Sequence, residues 1–159
     1  MQQQLNMVTM SEAYAKAIAA WQYPGQYAIY NLPPWDDMCA KQYSLAVKEK
    51  REGEYKAFVT ADNKLMAMCR YTAKDGGLML GVGVNPNYVS HGIGTAVVKQ
   101  FTAWLRDNYP DKRLYLEVRA WNERAVKCYI RCGYVISETF HQTTPAGEGE
   151  FYRLYYAGE

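Results

Sequence analysis

Residues 82–95 combine a short strand pattern with a loop rich in glycine. Val82-Gly83-Val84-Asn85-Pro86 is followed, two residues later, by Val89-Ser90-His91-Gly92-Ile93-Gly94-Thr95, where a helix pattern begins. The first backbone N–H groups of such a helix have no intrahelical partner, and the helix dipole favours an anion beside them. The glycines let a phosphate approach the backbone closely. The segment therefore predicts a phosphate-binding turn, with a glycine-rich turn that binds nothing as the alternative.

Two common nucleotide-binding patterns do not fit this segment. A dinucleotide fingerprint needs a third glycine, whereas Gly94 is followed by Thr95, Ala96 and Val97. A P-loop needs a lysine directly after its glycines, and the segment has none. Neither nucleotide-binding interpretation is favoured.

A second segment, residues 116–134, places polar side chains on a predicted strand and helix. Glu117 lies on the strand, Asn122 precedes the helix, and Tyr129 lies within the helix, before a Gly-Tyr pair. This order resembles the second signature of the GNAT superfamily of N-acetyltransferases. Residues 82–94 resemble its acetyl-CoA signature, a strand, Val-x-Pro and then [Gln/Arg]-x-x-Gly-x-Gly. The ordered pair covers about residues 78–134, and the Leu-Glu-Val-Arg run at 116–119 is similar to that of ribosomal-protein alanine acetyltransferases.

The resemblance implies an acetyl-CoA-dependent N-acetyltransferase in which an amine attacks the thioester directly. The matching residues of the ribosomal-protein alanine acetyltransferases implicate Glu117 as the base, acting directly or through a water, and Tyr129 as the acid that protonates the leaving thiolate. The resemblance also implies that the strand backbone pairs with the pantetheine arm and that the glycine-rich loop holds the pyrophosphate. The implied acetyl-CoA contacts are Val82, Gly83, Val84, Val89, Ser90, His91, Gly92, Ile93, Gly94, Thr95 and Asn122.

The sequence departs from the family pattern in the glycine-rich loop. Val89 stands where Gln or Arg is usual, and Ser90 and His91 replace the usual basic neighbours. Because this family holds the pyrophosphate mostly through backbone N–H groups, we expect the missing cations to weaken binding only modestly. This departure motivates one alternative, a catalytically silent acyl-CoA-binding or regulatory module of the same fold. Transfer of a longer acyl group is a separate alternative.

Each candidate side chain also has a structural interpretation. Glu117 could pair with Arg119 or with a neighbouring strand, and Tyr129 could be an ordinary core residue. Asn122 could cap its helix, which does not exclude a contact with a ligand. His91 could touch a phosphate or could simply be solvated.

Composition limits the classes of partner. The chain has 18 Lys and Arg against 16 Asp and Glu, a net charge of +2 that is too small to indicate nucleic-acid binding. No apolar run approaches the length of a membrane span, and the first ten residues lack the features of a secretory signal. Cys128 and Cys132 share a helix face without a neighbouring His, which favours thiols over a metal site. We expect a cytoplasmic protein with no metal.

The acceptor is expected to be a small-molecule or peptide amine. The loop from Trp21 to Trp35 contains three tyrosines and three prolines, and it is expected to overhang the acceptor side. Such a loop favours an aromatic pocket with hydroxyl groups. Asp36 and Asp37 could attract a cationic amine or cap a helix. The sequence leaves a homodimer possible.

Periodicity and turn residues predict the elements that position these groups. A capping box at 9–12 is expected to begin a helix over 13–20, and Asp36 or Asp37 to begin a second helix that ends near 51–53. A third helix is predicted to start at 92–94 and stop at 108–110, and a fourth to run from Asn122 to Gly133. The predicted strands are 55–60 and 64–72 as a hairpin, 78–84 buried on both faces, 113–119, 134–142 and 151–156.

The order of these elements predicts a mixed α/β sheet. The strand–helix–strand unit from Leu78 to Arg119 should be a parallel crossover, flanked by antiparallel hairpins. With the resemblance, this predicts a single domain over residues 1–159 with a GNAT-like fold. Its sheet would have six to seven mostly antiparallel strands, a central parallel pair and about four helices.

Overall fold

Five α-helices and seven strands are present in the computed structural model, which describes residues 4–89 and 91–158. The helices are α1 (Glu12–Ala19), α2 (Trp35–Ala40), α3 (Lys48–Glu54), α4 (Ile93–Asn108) and α5 (Glu123–Arg131). The strands are β1 (Asn6–Thr9), β2 (Tyr55–Val59), β3 (Leu65–Lys74), β4 (Gly77–Val84), β5 (Arg113–Arg119), β6 (Tyr134–Thr144) and β7 (Gly147–Tyr156). Short 3-10 helices cover Gly25–Tyr30, Ser44–Ala46 and Pro86–Tyr88.

The strands form one mixed sheet in the order β1-β2-β3-β4-β5-β7-β6. β4 and β5 run parallel, whereas β1–β2, β2–β3, β5–β7 and β6–β7 are antiparallel. The predicted mixed sheet with a central parallel pair is confirmed. The described chain has one helix more than the four predicted.

The parallel pair β4–β5 is short. Its ladder covers four residue pairs and ends at Leu80 and Leu116, although β4 continues to Val84 and β5 to Arg119. The strand predicted to be buried on both faces is therefore buried only in part, since residues 81–84 are partly or fully exposed. That prediction is wrong for the second half of β4, because β4 no longer pairs with β5 there.

The described residues of 1–70 and 83–93 form one compact unit. Its core packs α1, α2 and β2 through Met10, Ala15, Ile18, Ala19, Met38, Leu45, Tyr55 and Ala57. The predicted capping box at 9–12 is wrong: Thr9 is paired with Lys56 in the β1–β2 ladder, and Ser11 caps α1 by accepting from the Tyr14 N–H at 3.1 Å. β1 itself was not predicted.

The predicted second helix is two helices in the structure. α2 begins at Trp35, with Asp36 and Asp37 in its first turn, and it ends at Ala40. Gln42 then adopts a φ of 56°, which a continuing helix does not allow. α3 begins again at Lys48. The prediction of one helix failed because no glycine or proline marks this break.

The described residues of 71–82 and 94–158 form the second compact unit. Phe101 and Trp104 of α4 pack with Tyr71 and Tyr109, whose hydroxyl oxygens are 2.8 Å apart. The predicted positions of α4, β5 and α5 are confirmed. Gly133 follows α5 with a φ of +95°, and a Cβ there would lie 2.9 Å from the Gly158 carbonyl oxygen, so glycine is required.

Candidate active site

The C-terminal end of β4 is held in place by the loop that follows α1. The Tyr23 hydroxyl donates to the carbonyl oxygen of Val84 at 2.7 Å, and the Tyr23 N–H donates to Oδ1 of Asn31 at 2.6 Å. A Cβ at Gly83 would lie 3.1 Å from Sδ of Met68, so side chains approach this backbone closely. The Val84 carbonyl, which belongs to the strand segment predicted to contact acetyl-CoA, is therefore already hydrogen-bonded to a side chain of the protein.

A short turn links β4 to α4. Asn85 anchors its start, because its N–H donates to the Met66 carbonyl oxygen at 2.8 Å and its side chain accepts from the Asn87 N–H at 3.0 Å. Val89 is partly buried, and His91 and Gly92 are exposed. Ser90, predicted to contact the pyrophosphate, lies outside the described residues.

The start of α4 suits an anion. Gly92 has a φ of +78°, which disfavours any residue with a side chain, and Ile93 is the first helical residue. The 16-residue helix therefore begins directly after a glycine, with its first N–H groups free of intrahelical partners. Residues 85–95 include neither Lys nor Arg, so this segment offers a phosphate its backbone N–H groups and polar side chains but no Lys or Arg cation.

The first turn of α4 contacts α5 through Thr95. Its hydroxyl donates to Sγ of Cys128 at 3.7 Å, and its carbonyl oxygen accepts from the Cys132 thiol at 3.5 Å. Thr95 and Gly94 are both partly buried. The helix carrying Tyr129 is thereby packed on the helix start that carries the predicted phosphate site.

Glu117 on β5 is paired with Arg153 on β7. Oε2 of Glu117 accepts from Nη2 of Arg153 at 2.5 Å and from its Nε at 3.0 Å, and Oε1 accepts from Nε2 of Gln142 at 3.5 Å. The Glu117 side chain is only 7% exposed. Of the two structural alternatives, Glu117 pairs with the neighbouring strand and not with Arg119.

Arg153 is surrounded by acidic groups. Besides Glu117, its Nη2 lies 3.2 Å from Oδ2 of Asp75, and its Nη1 lies 3.6 Å from Oε1 of Glu138. Burial lowers the pKa of the Arg153 guanidinium, but hydrogen bonds to Glu117 and Tyr155 outweigh burial and raise it above its ordinary value. The guanidinium therefore remains charged beside Glu117.

Arg119 has a structural role at the end of β5. Its side chain is buried, lies 4.7 Å from the centroid of the Phe151 ring, and donates to Thr144 Oγ1 at 3.0 Å and to the Gly147 carbonyl oxygen at 3.1 Å. These contacts fasten the β6–β7 turn to β5.

Asn122 and Tyr129 lie on α5. Asn122 is 7% exposed, and its Oδ1 accepts from the Ala125 N–H at 3.2 Å, so the predicted N-cap is confirmed. Tyr129 follows one turn after Ala125 and is partly buried. Its predicted role as an acid stays a prediction.

The contacts group the predicted residues into three sets: Val84 with Tyr23, Thr95 with the α5 cysteines, and Glu117 with Arg153. Tyr23, Arg153 and Gln142 are site residues that were not predicted from the sequence. Tyr23 lies in the aromatic loop from Trp21 to Trp35. Arg153 on β7 and Gln142 on β6 can be identified as neighbours of Glu117 only from the strand register. Among the described residues, no group of three or more His, Cys, Asp or Glu could hold a metal ion.

Comparison with known families decides the class of the protein. A model of the acetyltransferase (GNAT) family matches residues 15–134. The chain belongs to the acetyltransferase (GNAT) family. This confirms the resemblance found in the two sequence motifs and the class of N-acetyltransferase. No curated protein sequence matches the chain.

Solved structures show the same fold. An acetyltransferase of the GNAT family from Bacillus anthracis superposes with a TM-score of 0.78 at 10% identity, covering 96% of this chain and 94% of that one. A chimera containing the spermidine N-acetyltransferase SpeG from Vibrio cholerae gives a TM-score of 0.72 at 16% identity, covering 96% of this chain and 94% of that one. A ribosomal-protein alanine acetyltransferase from Vibrio fischeri gives a TM-score of 0.67 at 14% identity, covering 98% of this chain and 93% of that one. Within the described residues, every helix is too short or too polar to serve as a membrane span.

Proposed function

We propose that this GNAT protein transfers an acetyl group from acetyl-CoA to a primary amine of a small molecule or a peptide. The observation that carries the proposal is the end of the β4–β5 ladder at Leu80 and Leu116, followed by the glycine turn at the start of α4. Backbone groups of β4 beyond Leu80 do not pair with β5 and can bond the amide groups of a pantetheine arm. The first N–H groups of α4 can bond the pyrophosphate.

Acetyl-CoA would be held by backbone and by a few side chains. Because the Val84 carbonyl already accepts from Tyr23, the remaining polar groups of β4, chiefly those of Val82 and the Val84 N–H, are assigned to the pantetheine arm. Asn122 would add a side-chain contact while it caps α5. The turn and helix start assigned to the pyrophosphate comprise Val89, Ser90, His91, Gly92, Ile93, Gly94 and Thr95.

The chemistry requires two proton transfers. The amine loses a proton and attacks the acetyl carbonyl carbon, the C–S bond breaks, and the thiolate of CoA takes up a proton. We assign the first transfer to Oε1 of Glu117 through a water, because Oε2 already accepts two bonds from Arg153. Tyr129 is assigned the second transfer, and an N–H of residues 82–84 would polarise the carbonyl.

The acceptor side is assigned to the loop between α1 and α2. An open cavity of about 400 Å³ lies there in the first unit, lined by Lys16, Ala19, Ala20, Gln22, Leu32, Pro34 and Trp35. Nζ of Lys16 lies 5.9 Å from the Trp35 ring centroid and 3.4 Å from Oε2 of Glu12, so the lysine that lines this cavity is ion-paired. Attraction of a polyamine would depend instead on Asp36 and Asp37, which are exposed in the first turn of α2.

A second candidate function is a silent acyl-CoA-binding module, favoured by Val89 in a turn without cations. Calorimetry with acetyl-CoA, followed by a thiol-release assay with spermidine, an alanine-terminated peptide and a lysine peptide, separates the two. Saturable binding with amine-stimulated release supports the enzyme. Binding with only slow hydrolysis supports the silent module, and no binding at millimolar acetyl-CoA contradicts both. A series of longer acyl-CoAs tests the acyl preference.

A further inference from the structure

β6 forms one edge of the sheet, and among the described strands it pairs with β7 alone. It is 11 residues long, and every residue after Tyr134 is partly or fully exposed. The strand at the opposite edge, β1, covers only four residues. A long, exposed edge strand presents a row of N–H and C=O groups that can pair with a strand of another chain.

The strand register shows which backbone groups of β6 face this edge. The Ala120 N–H donates to the Glu150 carbonyl oxygen at 2.9 Å, so the backbone groups of Glu150 point to β5 and those of Phe151 point to β6. Phe151 is paired with Phe140, whose backbone groups therefore point to β7. Because the direction alternates along a strand, the groups that point away from β7 belong to the odd-numbered residues Thr139, His141 and Thr143.

This edge lacks the features that usually prevent pairing with another strand. Residues 134–144 contain no Pro, Lys or Arg, and Glu138 is their only acidic residue. A bulge lies between Ile136 and Glu138, and the pairing with β7 is regular from there to the end of the strand. Nη1 of Arg153 lies 3.6 Å from Oε1 of Glu138, so this carboxylate keeps a cationic partner when the edge is covered.

A second copy of β6 fits this edge in an antiparallel register centred on Phe140. Outward-pointing residues must lie opposite outward-pointing residues, so the two-fold axis passes through a residue rather than between two. An axis at Glu138 would place two carboxylates opposite each other, and axes at Thr139 or His141 would place Phe140 opposite a polar side chain. An axis at Phe140 instead pairs the two rings and places Glu138 opposite the amide donor of Gln142.

Exposed apolar side chains at the start of β6 suit the same register. Val135 and Ile136 are 56% and 40% exposed, although both have large apolar side chains. With the axis at Phe140, the start of one β6 lies beside the β6–β7 turn of the other copy, where residues 145 and 146 are Pro and Ala. Burial of these apolar groups against each other would add to the backbone hydrogen bonds.

We propose that the protein forms a two-fold symmetric dimer in which two copies of β6 pair edge to edge around Phe140, so that the sheet continues through both chains. Nε2 of Gln142 lies 3.5 Å from Oε1 of Glu117. In the dimer, Gln142 also lies opposite Glu138 of the second copy, so the second chain reaches the surroundings of the proposed base. That consequence rests on the proposed function, whereas the pairing of the strands does not.

The oligomeric state of the full chain is measured by sedimentation over a wide range of protein concentrations. We expect a species of twice the chain mass of 18.2 kDa. Thr139→Pro removes an outward-pointing N–H and no bond to β7, so it should convert the dimer to a folded monomer, whereas Thr139→Ala should stay dimeric. A monomer at every concentration, assembly beyond the dimer, or a dimer that persists in folded Thr139→Pro overturns the proposal.

Cross-linking tests the register without a variant that removes the interface backbone. Cys39, which is exposed, is first replaced by Ser, and this parent should give no covalent dimer under mild oxidation. Phe140→Cys in the parent should cross-link, because the two residues form a pair without hydrogen bonds whose Cα atoms are about 4.5 Å apart. His141→Cys should cross-link at least about tenfold more slowly, because it lies opposite Thr139. Faster cross-linking of His141→Cys overturns the register.

The outcomes separate the dimer from the proposed acetyl transfer. A dimer with the expected cross-link, in a protein that acetylates no amine, leaves the interface standing and contradicts the proposed function. An active protein that sediments as a monomer overturns the dimer and leaves the proposed function standing. Pairing of β6 with an added peptide instead of a second copy would likewise appear as a monomer in sedimentation of the protein alone, and it overturns the dimer.

Discussion

Glu117 and Arg153 occupy paired positions on β5 and β7, and their charged groups meet with Oε2 of Glu117 2.5 Å from Nη2 of Arg153. The Glu117 side chain is 7% exposed and that of Arg153 is 17% exposed, so both charges are largely removed from water. A buried carboxylate needs such a partner, because an unpaired charge in the interior is strongly destabilising. The pair therefore fixes the orientation of the carboxylate that we propose as the base.

Removing the cation alone should destabilise the fold. Arg153→Gln leaves Glu117 buried beside Asp75 and Glu138, and we expect the free energy of unfolding in urea at pH 7 to fall by about 3 kcal/mol. The double variant with Glu117→Gln should recover part of this loss, because the buried charge is then gone. A fall of less than about 0.5 kcal/mol for Arg153→Gln, the scale of an exposed pair, would contradict the burial argument.

Removing the proposed base should slow catalysis more than it weakens binding. We expect Glu117→Gln to lower kcat about 100-fold, since a carboxamide cannot take up the proton. The pH–rate profile should also shift to higher pH, because the amine must then lose its proton to the solvent. Glu138→Gln is the matched control, because it removes another acidic neighbour of Arg153 that is 49% exposed. An unaltered pH profile in Glu117→Gln would assign deprotonation to another group.

Tyr129→Phe tests the proposed acid. Loss of the hydroxyl should lower kcat about 100-fold, while the Kd for acetyl-CoA measured by calorimetry stays within about twofold. Tyr109→Phe provides a control that loses a hydroxyl from the aromatic cluster with Tyr71. Equal turnover in Tyr129→Phe and wild type would leave Tyr129 a core residue.

Tyr23→Phe tests the support of β4. Without the 2.7 Å bond to the Val84 carbonyl oxygen, the strand end is less fixed, and we expect the KM for acetyl-CoA to rise about fivefold, the equivalent of one hydrogen bond. Tyr30→Phe, at an exposed tyrosine of the same loop, should leave the KM unchanged. The same KM in both variants would show that Tyr23 does not position β4 for the ligand.

Val89→Arg restores the side chain usual at this position of the family motif. A guanidinium at the start of α4 should tighten acetyl-CoA binding about tenfold through a charge-assisted bond, and the gain should shrink as salt is raised. Asn87→Arg adds the same charge at an exposed position two residues earlier and should give a much smaller gain. Equal effects of the two substitutions would place the pyrophosphate elsewhere.

The parallel β4–β5 pair and most local features around the site were predicted well, whereas the pairing of particular residues across the sheet was not. The Asn122 cap, the Gly133 helix end and the β4–α4 turn depend on neighbouring residues, so the sequence shows them directly. Thr9 was assigned to a helix cap because its pairing with Lys56 joins residues far apart in the chain. Arg153 was not linked to Glu117 for the same reason, since only the β5–β7 register brings them together.

The most direct test of acetyl transfer is the mass of the acceptor after incubation with the protein and acetyl-CoA. With at least one of spermidine, the alanine-terminated peptide and the lysine peptide, we predict a mass increase of one acetyl group and an equal amount of released CoA. Both products should form about 100-fold more slowly in Tyr129→Phe. Saturable acetyl-CoA binding without any acetylated amine, across these acceptors and further primary amines, would contradict the enzyme and favour the silent module.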